Sequence, residues 1–94
     1  MAVRRLSAKI HGCVQGVGFR YFTREAARGL GITGYVRNAQ DESVEVVVEG
    51  EEGLLARFIG MIKQGPSRAV VENVEISWEP PTGKYDGFRV SGDG

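Results

Sequence analysis

Residues 12–18 read Gly-Cys-Val-Gln-Gly-Val-Gly, and the hydrophobic period changes across them. Before this stretch, Leu6, Ala8 and Ile10 alternate with Arg5, Ser7, Lys9 and His11. That period of two predicts a strand buried on one face. After it, starting at about Phe19, Phe22, Ala26 and Leu30 recur every four residues, Glu25 falls within reach of Arg28, and Gly31 supplies a left-handed stop. These are the marks of a helix. Three glycines in seven residues allow backbone angles that other residues resist, so the connection is a loop of special shape between strand and helix.

The remaining elements follow by the same rules. Residues 33–38 form a short second strand, residues 39–43 a polar turn, and Val44, Val46 and Val48 alternate with Glu45, Val47 and Glu49 as a third strand, which makes a hairpin. Gly50-Glu51-Glu52 puts negative charge where a second helix begins. Leu55, Phe58, Ile59 and Ile62 form its apolar stripe, and Lys63 and Gly65-Pro66 end it. Val74, Ile76 and Trp78 mark a fourth strand, with Glu72-Asn73 breaking its pattern as a bulge would. Pro80-Pro81-Thr82-Gly83 ends it, and Phe88 and Val90 form a short fifth strand. The β-α-β-β-α-β order is that of the ferredoxin-like split βαβ sandwich. The expected class is α+β, with an antiparallel or mixed sheet of four to five strands and both helices on one face. At 94 residues the chain has room for one hydrophobic core, so residues 1–94 are expected to form one domain.

Charge and cysteine content limit the function classes. Lys plus Arg and Asp plus Glu each number 12, so no global field draws the chain to nucleic acid or an anionic membrane. Any anion site must be local. Cys13 is the sole cysteine, which excludes an internal disulfide and a cysteine-based zinc set and fits a reducing cytoplasm. No run approaches the roughly 18 apolar residues of a membrane span, and no targeting segment is visible.

The loop at residues 12–18 is the main chemical feature. A glycine-rich loop entering a helix can turn successive backbone N–H groups inward, and the helix N-terminus adds partial positive charge. Arg20 and Arg24 occupy the first turns of that helix without an acid, where the helix dipole disfavours cations. A bound phosphate would reverse the penalty, and the Arg20 guanidinium can fork onto two of its oxygens. The plainer alternative is a turn followed by two solvated arginines. Among named loops, a Walker A sequence lacks its Gly-Lys-Ser/Thr ending, and a dinucleotide fingerprint would need glycine at Tyr21. A cysteine-phosphatase loop needs five residues between Cys and Arg, whereas six separate Cys13 from Arg20.

A fourth comparison fits throughout. Gly12-Cys13-Val14-Gln15-Gly16-Val17-Gly18-Phe19-Arg20 resembles the first signature of the acylphosphatase family, G-x-V-Q-G-V-x-F-R, at every defined position. Gly34-Tyr35-Val36-Arg37-Asn38, then a turn, Val44 and Gly50, is similar to the second signature, and the likeness continues to Gly87-Phe88-Arg89-Val90. The turn departs from the family pattern in carrying Glu42 where a glycine is usual. The resemblance implies hydrolysis of the carboxyl-phosphate bond of small-molecule acyl phosphates to a carboxylate and inorganic phosphate, without metal or cofactor. It implies that Arg20 and the backbone N–H groups of Gln15, Gly16, Val17, Gly18, Phe19 and Arg20 hold the phosphoryl oxygens, with inorganic phosphate or sulfate taking the same loop. Asn38 would hold the attacking water.

The residue types suit that chemistry. A carboxylate whose conjugate acid has a pKa of about 4 leaves without a general acid. Phosphoryl transfer asks mainly for positioning and charge stabilisation, and an Asn carbonyl can orient water. The substrate's own phosphate is one group that can take the water's proton, and the sequence does not identify the acceptor. A monomer in the cytoplasm is expected, without nucleic-acid or membrane partners. The main rival is a non-catalytic phosphate or acyl-phosphate binding module, because similar domains occur inside larger carbamoyl-transfer proteins. An RNA-recognition module shares the element order, but residues 44–49 offer valine and glutamate where stacking aromatics and basic residues are needed. Cys13 is expected to be a small half-buried filler and His11 to lie at the surface. Phe19, Tyr21, Phe22 and Trp78 are expected in or beside the core.

Overall fold

In the computed structural model, which describes residues 2–91, the alternating run at the start of the chain forms β1 (Val3–Cys13) and buries Leu6, Ala8 and Ile10. It is followed by α1 (Phe19–Leu30), β2 (Thr33–Asn38), β3 (Val44–Glu51), α2 (Glu52–Gln64), β4 (Val70–Glu79) and β5 (Phe88–Val90). The expected domain limits include Met1 and residues 92–94, which lie outside the described residues. The strands form one sheet in the order β4-β1-β3-β2-β5. β1 pairs antiparallel with β3 and β4, β2 pairs antiparallel with β3, and β5 pairs parallel with β2.

The register puts Leu6, Ala8 and Ile10 opposite Val48, Val46 and Val44. Together with Val36 they form one apolar face, and Phe19, Ala26 and Ala27 of α1 and Leu55, Phe58 and Ile62 of α2 pack into the same core. Both helices thus cover one face, and the fold is the expected α+β sandwich. The bulge lies where the sequence pattern breaks: His11 pairs with Asn73 and Gly12 with Val71, leaving Glu72 as the extra residue. Gly31 ends α1 in the left-handed conformation, its N–H reaching the carbonyls of Ala27 and Arg28.

Four local expectations are corrected. The buried face of α1 is Phe19, Thr23, Ala26 and Ala27, with Phe22 and Leu30 only half-buried, so the true stripe is rotated from the predicted one. Glu25 pairs with Arg24 at 3.3 Å rather than with Arg28, whose guanidinium donates to the Phe88 carbonyl. Tyr21 is 60% exposed and Trp78 is 38% exposed, the latter beneath the Arg4 guanidinium. Cys13 is exposed, because it ends β1 where the chain leaves the sheet.

Since β4 and β5 occupy opposite edges of the sheet, the connection through residues 80–87 must cross it. Glu49 of β3 holds this crossing. Its carboxylate accepts hydrogen bonds from the Thr82 N–H (2.8 Å), the Thr82 hydroxyl (2.8 Å) and the Gly83 N–H (2.9 Å). The residue is 5% exposed. Burial by itself pushes the Glu49 carboxyl up, but these three donors and the nearby Arg5 charge outweigh burial and leave it below its ordinary pKa. A carboxyl depressed in the folded state contributes stability above its unfolded value of about 4.3 and loses it as pH falls through the lower folded value. Glu49→Gln is expected to lower unfolding free energy at neutral pH by about 1–3 kcal/mol and to flatten the acid limb of the stability profile below about pH 4. Urea melts across pH check this; an unchanged acid limb would show that the contacts do not persist in solution.

Candidate active site

The strand directions bring the site together. β1 and β2 both run antiparallel to β3, and β5 runs parallel to β2, so the ends of β1, β2 and β5 emerge on one side of the sheet. The loop after β1, Asn38 at the end of β2 and Val90 at the end of β5 therefore meet, although Arg20, Asn38 and Val90 are far apart in sequence. A cleft of about 350 Å³ lies among them, lined by Val14, Gly16, Gly18, Phe19, Arg20, Tyr21, Arg24, Asn38 and Val90.

The loop has the backbone that its glycines predict. Gly16 has φ +76° and Gly18 has φ +81°, both left-handed, a conformation that a side chain there would oppose. Gly18 is the residue before α1 and makes no side-chain cap, and the first turn of the helix carries no acidic residue. The first α1 hydrogen bond runs from the Phe22 N–H to the Gly18 carbonyl. The N–H groups of Phe19, Arg20 and Tyr21 therefore precede the point at which the helix supplies partners, and they are the first-turn donors that can bind an anion. Phe19 is buried to 1% exposure and anchors the start of the helix in the core, while Arg20 is half-buried at the cleft wall.

The Gln15 side chain adds a contact that motif reading does not reveal. Its Nε2 donates to the carbonyls of Ala39 and Ser43, each at 2.9 Å, and so ties the loop after β1 to the turn that follows Asn38. That turn is closed by Ala39 N–H to Ser43 carbonyl (2.9 Å) and Glu42 N–H to Ala39 carbonyl (3.2 Å). Glu42 takes φ +73°, a left-handed conformation that costs an L-residue about 1–2 kcal/mol. The turn keeps its shape through Asp41, which accepts from the Ser43 hydroxyl and N–H and pairs with Lys9 at 2.8 Å. The Lys9 ammonium, followed by the two Ser43 donors, holds the Asp41 carboxyl well below the usual range. Gln15→Leu is expected to destabilise the fold by about 1–2 kcal/mol, with the Ala39 and Ser43 carbonyls each keeping a backbone donor but losing the second, and to reduce turnover because Asn38 is no longer tethered to the loop. Urea unfolding and initial rates test this; an unchanged midpoint would mean that the tether contributes nothing.

Of the sequence-predicted residues, Gly16, Gly18, Phe19, Arg20 and Asn38 line the cleft; the side chain of Gln15 reaches the turn and that of Val17 packs against the core. Tyr21 and Val90 line the cleft without having been anticipated there. Among the described residues, no three His, Cys, Asp or Glu side chains form a metal-binding group.

The acylphosphatase family model matches residues 6–90. The chain is 46% identical over 88 residues to an acylphosphatase of Thermotoga maritima, an alignment covering 94% of this chain and 97% of that one. It is similar to the crystal structure of acylphosphatase from Bacillus subtilis, with a TM-score of 0.91 at 30% identity, covering 94% of this chain and 98% of that one. It is also similar to part of full-length HypF in its phosphate- and nucleotide-bound form: TM-score 0.89, 32% identity, covering 97% of this chain but 12% of HypF. HypF shows that this fold also occurs inside much longer proteins, whereas the Thermotoga and Bacillus relatives match nearly end to end. With both signatures lining or bracing one cleft and relatives aligned over almost their whole length, this chain belongs to the acylphosphatase family.

Proposed function

We infer that this protein hydrolyses small-molecule acyl phosphates, and that the cleft between the loop after β1 and the end of β2 is where it does so. The observation that carries this is the meeting of Arg20, the left-handed Gly16 and Gly18, and Asn38 around one cleft. The phosphoryl group sits on the backbone N–H groups of residues 15–20 with the Arg20 guanidinium across its oxygens. The Asn38 amide carbonyl orients a water on the side away from the leaving group. Water oxygen bonds to phosphorus as the bond from phosphorus to the carboxylate oxygen breaks. The acyl group leaves as carboxylate, and both protons of the water end on inorganic phosphate. Because that carboxylate is a good leaving group, the site does without a general acid.

The binding-module alternative is not favoured, since the relatives of matching length bear the name of the enzyme. We also propose that the protein acts as a monomer in the cytoplasm, without nucleic acid or membrane. Its zero formal net charge supports the absence of nucleic-acid and anionic-membrane partners, and no helix among the described residues is long and apolar enough to cross a membrane. The test is hydrolysis of benzoyl phosphate by purified protein in excess chelator. Turnover under those conditions is expected; phosphate binding without turnover would restore the binding module.

A further inference from the structure

The cleft carries a second cation besides Arg20. Arg24 lies four residues after Arg20 on α1, on the same side of the helix, so the two side chains are about 6 Å apart along its axis. Both line the cleft. The Arg24 guanidinium is stacked on the Tyr21 ring, 4.7 Å from its centroid, and paired with Glu25 at 3.3 Å. Arg24 lines the cleft, and its acid partner Glu25 is not among the lining residues. Tyr21 is 60% exposed, and its ring holds the Arg24 guanidinium in the cleft that Val90 also lines.

We propose that Arg24, held on Tyr21 at the rim of the cleft, is a specificity-determining residue that selects acyl phosphates whose acyl group carries a second negative charge about 6 Å from the phosphoryl group. This rests on the catalytic reading of the same cleft. Arg20 and the loop take the phosphoryl end, Val90 and the Tyr21 ring flank a short spacer, and Arg24 takes the distal anion. Glu25 competes with that anion for the guanidinium.

The test compares fumaroyl phosphate with crotonoyl phosphate, in which a methyl group replaces the distal carboxylate. The trans double bond sets the spacing and keeps the carboxylate from attacking its own anhydride. The wild-type protein is expected to favour fumaroyl phosphate in kcat/KM by about fivefold, the scale of a partly exposed ion pair. Arg24→Gln abolishes that preference, Glu25→Gln increases it, and added salt weakens it. Turnover of both substrates with a ratio unmoved by Arg24→Gln would overturn the proposal and leave the hydrolase reading standing. Turnover of neither by folded wild-type protein would remove both.

Discussion

Arg20→Ala is expected to lower kcat/KM for benzoyl phosphate by at least about 100-fold, corresponding to roughly 3 kcal/mol of lost transition-state stabilisation. Three features make the effect large. The guanidinium is a planar, delocalised cation, it meets phosphoryl oxygens in pairs, and its half-buried place at the cleft wall limits screening by water. Arg20→Lys should recover only part of the loss, because an ammonium offers a point charge in place of a planar fork. Inorganic phosphate should weaken as a competitive inhibitor in parallel, since the same contact serves ground state and transition state. Steady-state kinetics with phosphate inhibition reads both quantities. Near-wild-type turnover in the alanine variant would remove Arg20 from the mechanism.

Asn38→Ala is expected to be about as damaging in kcat while changing phosphate inhibition far less. The side chain serves the water rather than the phosphoryl group, so its loss falls on the attacking nucleophile. Its position supports this division: Asn38 is the last residue of β2, opposite Val44 in the hairpin, across the cleft from the loop. Asn38→Asp retains an oxygen of similar placement but adds a negative charge beside the phosphoryl group, and is expected to raise KM as well. A KM effect in Asn38→Ala matching that of Arg20→Ala would mean that Asn38 binds phosphate and that the water is held elsewhere.

Much of this was legible in the chain itself. Alternation at residues 6–10 and 44–48 marks two central strands, because a half-buried strand must alternate whatever its neighbours are. The broken pattern at Glu72-Asn73 marks the bulge for the same reason. The glycines at 16 and 18 mark a backbone that few other residues tolerate, and the structure gives both a left-handed φ. Less legible was the face of α1, where Phe22 and Leu30 promise a stripe that the packing rotates toward Phe19 and Thr23. A helical period locates a face only to within about one residue, and contact with the sheet decides the remainder.

Glu49 shows the limit most clearly. In an alternating strand it belongs to the face opposite the core and is expected in water, yet it is buried. The cause lies more than thirty residues away, in a segment that crosses the sheet because β4 and β5 take opposite edges. Local sequence therefore determined the elements and the shape of the loop, since each depends on dihedral preferences and hydrophobic period within a few residues, whereas Arg20 and Asn38 were named for chemistry by their resemblance to the acylphosphatase signatures. Only the tertiary structure decided that β5 pairs parallel with β2, that Val90 and Tyr21 join Arg20, Arg24 and Asn38 around one cleft, and that Gln15 braces the turn beyond Asn38. Those outcomes depend on strand order and on contacts between distant residues, which no local period encodes.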